Sequence, residues 1–112
     1  MVTSAKAPQR GEIWLAALDP TIGSEIQKTR PCVVVSPPEM NQHLRTLIVA
    51  PMTTGSRPAP FRVPISFQRK NGLILLDQLR TLDRQRLVQR LGTVKAPTLE
   101  QVLTQLQATF AA

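Results

Sequence analysis

Two apolar runs carry the residues best suited to chemistry. Arg30 opens "RPCVVVS", and Thr53 and Thr54 close "TLIVAPMTT". If the two strand ends lie side by side, a guanidinium and a hydroxyl share one place. An arginine stiffened by the following proline, Pro31, can give two parallel hydrogen bonds to a dianionic phosphorus centre. A threonine can fix the phosphate, and a nearby carboxylate can assist with a proton. RNA brings its own nucleophile, the 2′-hydroxyl, so alignment and charge stabilisation suffice to cut it. DNA lacks that hydroxyl and would be inert.

Other chemistries have no residues to run on. His43 is the sole histidine and Cys32 the sole cysteine. A two-histidine nuclease, an internal disulfide and a multi-thiolate metal site are therefore excluded. No His, Cys, Asp or Glu pair has metal-ligand spacing, so neither a metal nor any other cofactor is expected. "TIGSE" and "TTGS" hold one glycine each, too few for a phosphate-cradling loop, and no nucleophile elbow is present. His43 reads as an exposed side chain, and Cys32, inside "PCVVVS", as a buried thiol.

Charge points to the partner. Fourteen Lys and Arg oppose seven Asp and Glu, for a net +7. Ten of the fourteen basic residues fall between Arg45 and Lys95, against only Asp77 and Asp83. A concentrated basic surface rich in arginine suits a polyanion, because the guanidinium fork matches phosphate. An acidic protein partner fits the same surface.

The elements that must position these groups can be read in turn. At 112 residues, 42% hydrophobic and 19% charged, the chain reads as one soluble domain over 1–112. Residues 1–9 read as a flexible lead-in. No apolar run reaches membrane-spanning length and no signal peptide is evident, so a cytoplasmic location without membrane contact is expected. "EIWLAAL", "PCVVVS" and "TLIVAPM" read as strands, the second because consecutive valines favour a pleated surface. Ser36, Pro37, Pro38 and Glu39 read as the capped start of a short helix ending near His43. "FRVPI" alternates but contains Pro64, which places it at an edge or bulge. Asn71-Gly72 reads as the turn of a hairpin returning into "LILLDQLRTL". An exposed break at Asp77–Arg80, a turn or short helix at "RQRL" and a last strand at "RLGTVK" follow. Thr98 and Gln101 read as a capping box, and Leu99, Val102, Leu103, Leu106 and Phe110 as one helix face packed on the domain. The sum is mainly β with helices (α+β): a small antiparallel β-barrel or strongly bent sheet with a C-terminal helix.

In order and spacing, "RGEIWLAALDPTIGSEIQKTRPCVVVS", "LIVAPMTT" and "LLDQLRTLDRQRL" together resemble the MazF/PemK family of toxin endoribonucleases of type II toxin–antitoxin modules. The likeness runs from about Arg10 to Gly92. It implies an SH3-like β-barrel acting as a homodimer, with single-stranded RNA laid along the dimer surface. It also implies metal-independent cutting at a short motif, leaving a 2′,3′-cyclic phosphate and a 5′-hydroxyl. By the same resemblance Arg30 and Thr53 are the catalytic pair, with Glu25 of "GSE" assisting. Ser24, Gln27, Lys28, Thr54, Gln78 and Arg80 are then expected at the RNA. A further branch of the family relies on an Arg-x-Asp pair and a first-loop histidine; "GSEIQKT" has no histidine, which places this chain in the arginine–threonine branch. The family's antitoxin, an acidic and partly disordered chain, would compete with RNA for the basic surface.

Each of these residues also has a plainer reading. Arg30 could close a loop by pairing with Asp19 or Glu25, Thr53 could be a solvated strand end, and "DRQR" a solvated turn. Trp14 reads as core. Two other functions fit part of the pattern. One is a non-catalytic toxin of the same fold acting on a protein such as DNA gyrase. The other is an inactive nucleic-acid-binding barrel, whose stacking platforms would be thin in a chain with no tyrosine.

Overall fold

The structure is a computed structural model and describes residues 6–112. β1 (Glu12–Ala17), β2 (Thr29–Val34), α1 (Pro38–His43), β3 (Thr46–Thr53), β4 (Arg62–Phe67) and β5 (Lys70–Leu75) come first. A 3-10 turn (Leu76–Gln78), β6 (Arg80–Asp83), a second such turn (Arg84–Arg86), β7 (Leu87–Thr93) and α2 (Ala96–Phe110) complete the chain. The seven strands form one bent, wholly antiparallel sheet in the order β4-β5-β3-β2-β1-β7, with β6 on the first half of β3. This is the small barrel-like sheet with a C-terminal helix that the sequence predicts. No helix among the described residues is long and apolar enough to cross a membrane.

β2 lies at the centre and explains its own composition. Val33 and Val35 join a core with Ile13, Ala50, Met52, Ile74 and Val102, which α2 covers. Cys32 and Val34 face the opposite core, with Ala16, Leu47, Val49 and Leu82. A strand buried on both faces reads as an unbroken apolar run, hence three valines in a row. Pro64 lies on β4, an edge strand, where its missing N–H costs no ladder bond.

Several local expectations fail for identifiable reasons. Pro8 is buried and its carbonyl accepts a 2.8 Å hydrogen bond from Asn41 Nδ2, so the chain is anchored before residue 9; residues 1–5 lie outside the described residues. Ser36 does not cap α1, whose N-cap is Pro37. Its hydroxyl donates to Asn41 Oδ1 and accepts the Ile48 N–H at 3.0 Å, tying the α1 turn to β3. The β4–β5 turn is not Asn71-Gly72 but Gln68-Arg69, flanked by the pair Phe67 and Lys70. Both turn residues have positive φ, 51° and 63°, as a type I′ turn demands. Gly72 is wanted elsewhere: a Cβ there would stand 2.8 Å from the Thr53 carbonyl oxygen. α2 starts one turn early, with Lys95 as N-cap and no side-chain cap, so Thr98 lies inside the helix. Val102 is buried and Leu99 and Leu106 pack on the core, but Phe110 at the helix end is 73% exposed.

Candidate active site

Strand register brings the first two candidates together. β2 and β3 pair through Cys32↔Pro51, Val33↔Ala50 and Val34↔Val49, and the same register carried outward places Arg30 across from Thr53. The two residues line one open cleft of about 220 Å³. Thr54, Gln68 and Lys70 add polar groups to it, while Pro31, Met52, Ile65 and Phe67 make its apolar wall. None of the seven acidic residues lines this cleft.

Arg30 is half-buried and held from behind. Its Nε donates to the Gln27 carbonyl at 2.9 Å, and its terminal nitrogens make no hydrogen bond among the described residues. Neither Asp19 nor Glu25 pairs with it; the ion pairs among the described residues are Arg62–Asp77 and Arg90–Glu12, each at 3.0 Å. The loop-closing reading of Arg30 is thus replaced by a guanidinium fixed on one edge and open on the other. Thr53 Oγ1 accepts the Gly55 N–H at 3.2 Å, which leaves its hydroxyl hydrogen to donate. Such a pair can grip the oxygens of one phosphate.

Glu25 stands apart. Its Oε1 accepts the Ile22 N–H at 2.8 Å, and it lines a second cleft with Ser24, Gln78 and Arg80. Gln78 and Arg80 there are engaged with the backbone of the β1–β2 loop. Gln78 accepts from the Ile26 N–H at 2.6 Å and donates to the Ser24 carbonyl at 3.4 Å. Arg80 donates to the Leu18 carbonyl at 3.2 Å, and Arg86 to the carbonyls of Ala17 and Asp19 at 3.1 and 2.6 Å. "DRQR" is therefore more than a solvated turn, since Arg86 straps the loop. Gln27 and Lys28 are exposed at the loop's return, where Lys28 has φ 73° and its carbonyl accepts the Leu18 N–H at 3.0 Å.

The remaining singled-out residues take plain roles. His43 is exposed. Trp14 packs half-buried against the Leu47 side of the core, its Nε1 donating to Glu12 at 3.0 Å. Burial pushes the Cys32 thiol up to about 12, with the Arg80 charge opposing. The Arg62 hydrogen bonds hold the Asp77 carboxyl below the usual carboxylate range. No group of three or more His, Cys, Asp or Glu among the described residues is placed to hold a metal ion. Sequence reasoning missed Gln68, Lys70 and Gly72, because a turn assigned to Asn71-Gly72 sets the hairpin three residues out of place.

Comparison with known proteins identifies the family and the fold. The family model for PemK-like, MazF-like toxins of type II toxin–antitoxin systems matches residues 9–110. Endoribonuclease PemK of Escherichia coli is 40% identical over 104 residues, 88% of this chain and 78% of its own. The crystal structure of MazF (form I) from Deinococcus radiodurans superposes with a TM-score of 0.83 at 27% identity, covering 95% of this chain and 98% of that one. An endoribonuclease from a mycobacterial species, solved in complex with its cognate antitoxin, gives 0.77 at 25% identity over 91% and 93% of the two chains. With the family model spanning nearly its whole length, this chain belongs to the PemK-like, MazF-like toxin family of type II toxin–antitoxin systems.

Proposed function

We propose that this endoribonuclease-type toxin cuts single-stranded RNA at a short motif, using the substrate's own 2′-hydroxyl and no metal. The observation that carries the reading is the Arg30–Thr53 cleft: a half-fixed guanidinium and a donating hydroxyl, with no carboxylate on its walls to repel a phosphate. The 2′-oxygen bonds to phosphorus as the bond to the 5′-oxygen breaks. The 2′ proton is lost to solvent or a base, and the 5′-oxygen takes up a proton. The products are a 2′,3′-cyclic phosphate and a 5′-hydroxyl. Arg30 stabilises the charge that builds on the phosphoryl oxygens, and Thr53 holds the same group in line. Glu25, bonded to Ile22, shapes the β1–β2 loop beside the cleft, together with Ser24, Gln27 and Lys28. Thr54 completes the phosphate site. Gln78 and Arg80 hold that loop in place for the RNA.

The same reading gives the protein two macromolecular partners besides RNA: a second copy of itself, and an acidic antitoxin drawn to a surface of net charge +7. The test uses purified protein with a long single-stranded RNA and its DNA copy, both in chelator, with the cut ends mapped chemically. RNA-only cutting at one motif with cyclic-phosphate ends, abolished in a folded Arg30→Ala variant, is expected. Intact RNA from folded, antitoxin-free protein overturns the reading and turns attention to a protein target such as DNA gyrase, or to binding without cleavage.

A further inference from the structure

A second cation faces the Arg30 cleft. Lys70 is the first residue of β5, immediately after the Gln68-Arg69 turn, and its side chain lines the cleft with Arg30, Thr53 and Thr54. It is exposed and makes no ion pair among the described residues. Two cations, two threonine hydroxyls and the Gln68 amide thus surround a space that no acid lines. Like charges gathered without a counter-charge raise the local potential and favour an anion.

The backbone keeps Lys70 there. β5 joins β3 only through Met52↔Ile74 and Thr53↔Leu73, so Lys70 stands three residues past the partner of Thr53, beyond the end of β3. Gly72 allows that approach, since a Cβ would meet the Thr53 carbonyl oxygen at 2.8 Å. The I′ turn fixes the hairpin tip without glycine, through two left-handed residues. Lys70 is therefore carried on paired strand and not on a free loop. A lysine is a point charge with three donors, well suited to a phosphate and indifferent to the base.

We propose that Lys70 binds the RNA phosphate next to the scissile one, anchoring the strand across the Arg30–Thr53 cleft. The proposal rests on the RNA-cutting reading of that cleft. A single strand carries one phosphate per nucleotide. With Arg30 and Thr53 on the reacting phosphate, Lys70 takes its neighbour. It contributes to holding the substrate and not to the bond exchange.

The test compares the parent with Lys70→Gln, Lys70→Arg and, as a control on the same turn, Arg69→Gln, which does not line the cleft. Cleavage is measured first on RNA. Binding then follows by fluorescence anisotropy, across a salt series, with the same RNA bearing a 2′-deoxy nucleotide at the mapped cut. Lys70→Gln should weaken binding about five- to tenfold at low salt and lower the log–log salt slope by roughly 0.7, one phosphate contact on a single strand. kcat should change less than about twofold, since binding lost equally from ground and transition states raises KM alone. Lys70→Arg should restore both affinity and slope. An unchanged slope in Lys70→Gln, or an equal loss in Arg69→Gln, overturns the proposal. So does a loss confined to kcat. A parent that leaves RNA intact overturns the underlying reading instead, and that result does not involve Lys70.

Discussion

A methyl group at Gly72 would enter space held by the main chain of β3. Its Cβ would lie 2.8 Å from the Thr53 carbonyl oxygen, 3.4 Å from the Thr53 carbonyl carbon and 3.6 Å from Thr54 Cγ2. The clash is with backbone, so no rotamer change relieves it, and β5 must open from β3 by roughly half an ångström. Gly72 has no left-handed φ, so alanine would otherwise fit and even stabilise by about 0.4–1 kcal/mol through the unfolded chain. Overpacking of this kind costs about 1–3 kcal/mol and exceeds that gain. The net expectation for Gly72→Ala is a loss of about 1–2 kcal/mol, with Tm lower by roughly 5–10 °C for a domain of this size. The displaced atoms belong to Thr53 and Thr54, so RNA cutting should fall at temperatures where the variant is still fully folded. Urea and thermal unfolding followed by circular dichroism give the first number, and single-turnover cleavage at 20 °C below the variant's Tm gives the second. A Tm equal to or above the parent's would refute the close-approach argument. So would a destabilised variant that cuts at the parent's rate, which would separate Gly72 from the site.

Asn41→Ala should cost about 2–4 kcal/mol in urea unfolding, because the fully buried amide bonds the carbonyls of Pro8 and Ser36 and the Ser36 hydroxyl, and all three lose their partner. Cys32, buried with its thiol pushed up to about 12, should resist a disulfide reagent at neutral pH until denaturant unfolds the protein; native-state reaction at a free-thiol rate would contradict its burial. Asp77 is held below the usual carboxylate range by Arg62, so its contribution is present at neutral pH and is lost as acid protonates it in the folded state. The Tm gap between the parent and Asp77→Asn should therefore close as pH falls below about 4, and a gap that stays constant into stronger acid would remove the ion pair from the account.

How much of this was legible in the sequence depended on what kind of contact left a pattern. Val33, Val34 and Val35 announce a strand buried on both faces, and Pro64 announces an edge, because burial and a missing donor both constrain residue type. Leu99, Val102 and Leu106 likewise announce a helix face. Phe110 keeps the same periodicity yet stays exposed, since periodicity carries no information on how far along a helix the core reaches. Asn71-Gly72 has the composition of a turn, but Gly72 is required by packing on Thr53, and the turn falls on Gln68-Arg69 instead. The meeting of Arg30 and Thr53 follows from two strands in antiparallel register, which the apolar runs allow one to draw. The engagements of Gln78, Arg80 and Arg86 were silent, because their partners are main-chain carbonyls and amides of the β1–β2 loop, and a backbone group looks the same under any side chain. Ser36 was misread for a similar reason: a serine before a helix is a cap by statistics, and only the buried Asn41 draws its hydroxyl elsewhere.

The dependence of the cleft on the β4–β5 hairpin also sets a timetable. Its parts come from β2, β3, β4 and β5, and the β4–β5 hairpin is the last of them to be synthesised. At about 5–20 residues per second, Lys70 follows Arg30 off the ribosome's catalytic centre by roughly 2–8 s. Throughout that interval the nascent chain holds the arginine and then the threonine, but the end of β3 has no β5 to brace it. The phosphate-facing cleft is thus complete only once β5 has followed β3 out of the ribosome.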